Sequence, residues 1–188
     1  MNQRDQEREA TRQRFIDTAY ELFRAQGYGT TSMNQIAKQA GGSRANLYLH
    51  FRNKPDLMLA KMREIEPALL GPISSIFELP RHDLDSVLGW LRSMRELWLE
   101  HAVEFSAIEQ AMAEDETVAG EWLEMMRRLS NQIPQLSEDE DRRVQFTVTL
   151  MSMDRNFYFL YVRNHAIYEE KVHRALAQQW LNLLPGGR

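Results

Sequence analysis

The sequence predicts an all-α protein: a small N-terminal three-helix domain containing a helix-turn-helix, followed by a larger helical body. Three observations predict it. Apolar residues recur at three- and four-residue spacing along most of the chain, helix-start residues repeat in quick succession between Ser32 and Asp56, and prolines and glycines punctuate the periodic stretches. Nothing reads as a strand, and there is no internal repeat or low-complexity tract.

The first helix is expected from about Glu9 to Gln26, with Phe15, Ala19, Leu22 and Phe23 on its buried face and Gly27 in a left-handed C-terminal position. Ser32 then precedes Gln35, Ser43 precedes Asn46 and Asn53 precedes Asp56, each by three residues. In each case a side-chain oxygen can accept from an orphan backbone N–H of a new helix. Met33, Ile36 and Ala37 give the second helix its buried face, and Leu47, Tyr48 and Phe51 the third. Between them Ala40-Gly41-Gly42 leaves room only for a tight corner, where glycine permits a positive φ. A fourth helix starts near Lys54 with the stripe Leu57, Met58, Met62, Ile65, and Pro67, Gly71 and Pro72 are expected to kink or end it. The boundary between the two domains is therefore placed at residues 63 and 64.

In the body, the stripe from Trp90 to Met112 predicts one long helix broken near His101. Another follows from about Thr117 to Gln132. The acidic run Glu138 to Asp141 suits the first turn of a helix reaching about Arg163, because negative charge opposes the positive end of the helix dipole. A last helix is expected from about Tyr168 to Leu184, with Val172, Leu176 and Leu183 on one face, stopped by Pro185-Gly186-Gly187.

Composition narrows the function. With 43% hydrophobic residues in 188, the chain can bury a sizeable core. It has no cysteine, which removes disulfides and thiolate metal sites and fits a reducing, cytoplasmic setting. No apolar run has the length of a membrane span, and the charged N-terminus is unlike a secretion signal. The net charge of −4 is unevenly placed. Residues 1–63 carry eleven Lys/Arg against six Asp/Glu, and residues 64–188 carry twelve against twenty-one. A basic head on an acidic body confines phosphate neutralisation to the head.

Phe15, Ala19, Phe23, Gly27-Tyr28, Thr31-Ser32, Ile36-Ala37, Ala40-Gly41, Ser43, Leu47-Tyr48, His50-Phe51, Lys54 and Leu57 together resemble the N-terminal domain of the tetracycline-repressor (TetR) family of bacterial transcription regulators. The likeness covers about the first third of the chain. It implies a DNA-binding head, an effector-binding helical body, a homodimer, and repression relieved by a small molecule. It also implies phosphate contacts from Thr31, Ser32, Tyr48, His50 and Lys54. Two positions depart from the family pattern. Gly42 stands where an apolar residue such as valine is usual, so the corner is expected to be loose, and Asn46 replaces a small residue or threonine.

In a helix-turn-helix the second helix of the motif enters the major groove with its N-terminal residues at base edges, which makes Ser43, Arg44, Ala45 and Asn46 the candidate readers. Arg44 can pair with guanine and Asn46 with adenine, while Ala45 can touch a thymine methyl. Candidate effector residues are Trp90, Met94, Trp98, His101, Phe105, Trp122, Phe157 and Tyr161, which suit a largely apolar or aromatic ligand. Packed cores use the same residues, so the two readings stay side by side. The last two helices are the candidate dimer interface, and two-fold symmetry predicts a palindromic operator.

Glu170 and His173 have the Glu-x-x-His spacing of di-iron bundles, but the chain holds one copy where that chemistry needs two. Zinc-protease, nucleophile-elbow and phosphate-loop motifs are absent, and the sequence is read as a non-enzyme without a cofactor. The competing reading is a DNA-bound adaptor whose body recruits a protein.

Overall fold

The computed structural model describes residues 2–165 and 168–186, and every described regular element is helical. Nine α-helices are described: α1 (Gln3–Gln26), α2 (Met33–Gln39), α3 (Arg44–His50), α4 (Lys54–Ser74), α5 (Leu84–Glu100), α6 (Ala102–Glu114), α7 (Glu116–Asn131), α8 (Glu140–Phe157) and α9 (Glu169–Leu181). No helix among the described residues is long and apolar enough to cross a membrane. The chain divides into two compact units, one of residues 1–64 with 106–121, the other of residues 65–105 with 122–188.

In the first unit, α1 begins six residues before the expected Glu9. Asn2 and Asp5 form a reciprocal capping box, with the Asp5 N–H donating to Asn2 Oδ1 at 2.9 Å. The extra turns are polar and exposed, so hydrophobic periodicity carries no trace of them. Farther along, Phe15, Ile16, Ala19 and Phe23 are buried, and Phe23 packs against Tyr20 and Tyr28 with ring centroids 5.1 Å away in each case. Burying each such aromatic contributes about 1.5–3 kcal/mol. Gly27 ends the helix at φ 88°, ψ 157°, a positive φ but outside the left-handed helical region expected there, and its N–H donates to Phe23 O at 2.8 Å.

All three caps expected around the motif form. Gln35 N–H donates to Ser32 Oγ at 3.3 Å while the Gln35 side chain accepts from the Ser32 N–H at 2.8 Å. Asn46 N–H donates to Ser43 Oγ at 3.0 Å, and Asp56 N–H to Asn53 Oδ1 at 2.8 Å. At the corner Gly41 takes the positive φ, 68°. Gly42 gives a different result from the loose corner expected: a Cβ built there would lie 2.9 Å from Phe15 Cζ. The Phe15 ring fills the space a valine would use, so the corner is packed from the α1 side.

The second unit holds α4 from Ile65 onward, which runs through Pro67 and Pro72 to Ser74 instead of ending there. Each internal proline costs about 3 kcal/mol in an isolated helix. Here Ile65, Leu69, Ile73 and Ile76 are 4% exposed or less on one stripe, and that burial outweighs the lost backbone bonds. Pro72 also gains a role, because its carbonyl accepts from Trp90 Nε1 at 3.1 Å. Trp180 lies at the centre of this core, edge-on to Trp90 at 4.9 Å and to Phe146 at 5.4 Å. The break expected near His101 is a single residue between α5 and α6. The expected tail of α8 is a π-helical turn, Tyr158–Val162. α9 is shorter than expected at both ends, and its buried face includes His173 as well as Leu176, Ala177 and Trp180. Of the expected stop signal, Gly187 lies outside the described residues.

Candidate nucleic-acid interface and effector region

The caps at Ser43 and Asn53 and the packing of Leu47, fully buried, fix which side of α3 faces outward. Arg44, Ala45, Tyr48 and Leu49 form that outer stripe, all exposed. The Arg44 guanidinium lies over the Tyr48 ring at 5.4 Å, which aligns the arginine along the helix. Tyr48, expected on the buried face, is 40% exposed. Leu49 is 75% exposed and was missed because an apolar residue inside a motif reads as core. Its place four residues after Ala45 was the available signal.

Asn46 sits to the side of that stripe, half-buried. With His50 and Leu49 it faces Arg4, Arg8 and Thr11 of α1 across a cleft of about 470 Å³. The early start of α1 thus brings Arg4, Glu7 and Arg8 beside α3. His50 is held below its ordinary pKa by burial first, then by the Arg8 and Arg12 charges, against the opposite pull of Glu9. Its ring packs 5.8 Å from Phe15.

The expected phosphate donors divide in two. Ser32 is exposed, although its hydroxyl already serves the cap. Thr31 is only 3% exposed, and its hydroxyl donates to Gly27 O at 2.8 Å. Lys54 Nζ donates to Tyr28 O at 2.8 Å and Thr31 O at 3.2 Å, 3.9 Å from the Tyr28 ring centroid. Burial lowers the Lys54 pKa, opposed by Glu114. Thr31 and Lys54 therefore hold the loop between α1 and α2. The same loop is fixed from α6, where Gln110 Oε1 accepts from the Tyr28 N–H at 3.0 Å. Tyr28 is raised in pKa by burial and by Glu114 and Asp115.

In the second unit the candidate effector residues are largely packed against one another. Trp98 lies between Phe105 at 5.0 Å and Phe157 at 5.4 Å, and Phe157 meets Tyr161 at 5.1 Å. Trp90, Met94, Trp98, Phe105 and Phe157 are all buried, whereas His101, Trp122 and Tyr161 are half-buried. Trp98 Nε1 finds no acceptor among the described residues, an orphan that costs about 1–3 kcal/mol. Tyr161, carried by the π turn, donates to Glu169 at 3.0 Å and bonds His173 Nε2. Burial raises the Tyr161 pKa, aided by Glu169, and burial lowers that of His173, with Glu169 opposing and Arg92 and Arg95 assisting. Alongside lies a cleft of about 630 Å³ between α5 and α9.

A capped helix-turn-helix with an exposed arginine-bearing stripe, on the basic part of the chain, is the arrangement of a DNA-binding motif. The comparisons with known proteins carry this further. Residues 15–60 match the family described as bacterial regulatory proteins, tetR family. The HTH-type transcriptional regulator AcrR of Shigella flexneri is 34% identical over 96 residues, covering 44% of each chain. Among solved structures, a TetR family transcription regulator from Marinobacter aquaeolei superposes with TM-score 0.60 at 21% identity, covering 96% of this chain and 97% of that one. FadR from Thermus thermophilus, a TetR-family repressor solved with lauroyl-CoA, superposes with TM-score 0.62 at 19% identity, covering 89% and 94%. The chain spans less than half the length of the curated relatives it matches. Residues 15–60 thus form an N-terminal helix-turn-helix segment of the tetR family type, and the described regular elements of the whole chain are helical, as in solved TetR-family structures.

Proposed function

We propose that this protein is a cytoplasmic repressor that binds a palindromic operator as a homodimer and is released by a small-molecule effector. The observation that carries this reading is the exposed stripe Arg44, Ala45, Tyr48, Leu49 on a motif that belongs to a DNA-binding family. Arg44 reads guanine, Ser43, Ala45 and Asn46 complete the base contacts, and Ser32, Tyr48 and His50 hold phosphates. Thr31 and Lys54 serve by shaping the loop behind them. Residues 1–63 read DNA in this account, and residues 64–188 sense and dimerise.

Dimerisation is supported by apolar surface in the second unit: Leu123 on α7 and Val144 and Val148 on α8 are 50%, 57% and 61% exposed. The exposed side of α9 is polar, with Lys171, Arg174, Gln178 and Gln179, so α8 carries more of the contact than α9. Effector binding is supported by the lauroyl-CoA complex of a protein of the same fold and by the orphan Trp98 N–H within the aromatic cluster. Tyr161 is the cluster's contact with the α5–α9 region, with Phe157, Trp98 and Phe105 packed in turn behind it and His101 against Phe105.

The test is to select bound fragments from genomic DNA with the purified protein. Enrichment of one inverted-repeat sequence supports the reading; retention of DNA without sequence preference overturns it.

A further inference from the structure

We propose that the cleft between α5 and α9 is a binding site for a small organic carboxylate, gripped by Arg92 and Arg174. The proposal rests on the reading of the body as ligand-responsive only for its effect on DNA.

Charge pairing inside the cleft is incomplete. Three glutamates and three arginines line it, and Arg95 takes two of the acids: Glu96 at 2.7 Å and Glu169 at 3.8 Å. Glu169 also accepts from the Tyr161 hydroxyl. Arg92 on α5 and Arg174 on α9 make no ion pair among the described residues, and Glu170 is the one remaining acid of the lining. The lining as a whole carries three of each charge, but among the groups left without an ion pair two guanidiniums stand against the one carboxylate of Glu170. A guanidinium fork matches a carboxylate in two parallel hydrogen bonds, which gives geometry as well as charge.

Between the two exposed arginines the wall includes one buried polar side chain. His173 is 8% exposed and lines the cleft. The Tyr161 hydroxyl has one proton, which it gives to Glu169, so it accepts from His173 Nε2–H. That fixes the neutral tautomer and leaves His173 Nδ1 an acceptor, suited to a ligand hydroxyl. Leu88 adds an apolar contact. The volume, about 630 Å³, is that of a metabolite site and far exceeds an inorganic anion. Both members of the Glu170-x-x-His173 motif line this cleft.

Calorimetric titration of the full chain tests the site, using sodium succinate, citrate and benzoate, and sodium phosphate as the inorganic arm, at constant ionic strength. At least one carboxylate should bind with a Kd below about 1 mM. Its affinity should fall at least about tenfold in Arg92→Gln/Arg174→Gln and stay unchanged in Arg24→Gln, which lies elsewhere. Arg92→Lys keeps the charge without the fork and should fall in between, which keeps the test open if the double variant does not fold. Absence of saturable binding by all three carboxylates, equal affinity in the double variant, or phosphate binding as tightly as the carboxylates overturns the proposal. Operator affinity is measured in parallel. Carboxylate binding with operator affinity unchanged supports the site and overturns its role as the effector site.

Discussion

The Phe15 ring stands 2.9 Å from where a Cβ of Gly42 would lie, so α1 and the corner between α2 and α3 are fitted to one another. Phe15 is fully buried and also packs on His50 of α3. Gly42→Val should therefore cost about 1–3 kcal/mol by overpacking, seen as a lowered Tm. Adding Phe15→Leu should recover part of that loss. An unchanged Tm in the single variant would show that the ring yields freely.

Arg44 and Lys54 are both basic and close in sequence, yet they should fail differently. Arg44→Ala should weaken operator binding by about 1–3 kcal/mol and nonspecific binding far less. Lys54→Gln removes the tie between Tyr28 O and Thr31 O, so its main effect should be a loss of about 1 kcal/mol of stability. Thermal melts and gel shifts on specific and random DNA separate the two; equal loss of both DNA affinities in Arg44→Ala would remove its base-reading role.

Arg4 and Arg8 flank Asn46 and His50 across the α1–α3 cleft. If both touch phosphate, Arg4→Ala/Arg8→Ala should flatten the slope of log K against log salt by about two, sparing base preference. A slope identical to wild type would place both arginines off the DNA.

His173 is depressed below 6.5 by burial, so the unfolded chain takes up its proton first as pH falls. Its contribution to stability is present above pH 6.5 and is lost as pH falls through the lower folded-state value. Melting at about pH 7.5 and about pH 5 should show a Tm difference that shrinks in His173→Gln. Glu169, Tyr161, Arg92 and Arg95 face it and remain in that variant, and an undiminished difference would show that the pH effect comes from titrating groups other than His173.

Val148→Glu places a charge in the exposed apolar strip of α8. Light scattering should report a homodimer for the wild-type chain and a smaller mass for the variant, with helicity retained. Identical masses would move the interface away from α8.

The helix-turn-helix was legible because its caps are local chemistry: Ser32, Ser43 and Asn53 each sit three residues before the group they bond. The start of α1 was signalled the same way by Asn2 and Asp5, but in turns with no apolar face to draw attention. Other features depend on contacts distant in sequence. The persistence of α4 through two prolines follows from burial of Ile65, Leu69, Ile73 and Ile76, and the packing of Gly42 follows from a ring twenty-seven residues earlier. In the body, aromatic spacing identified helices but could not tell a lined cavity from rings meeting rings, as Trp98, Phe105 and Phe157 do.

The hydrogen bond from the Tyr28 N–H to Gln110 also bears on engineering. A chimaera that joins residues 1–64 to a foreign sensor severs it, leaving the loop held by Thr31 and Lys54 from within the head. The first compact unit is discontinuous, with residues 106–121 packed into it, and a graft that omits them should carry a less ordered loop between α1 and α2.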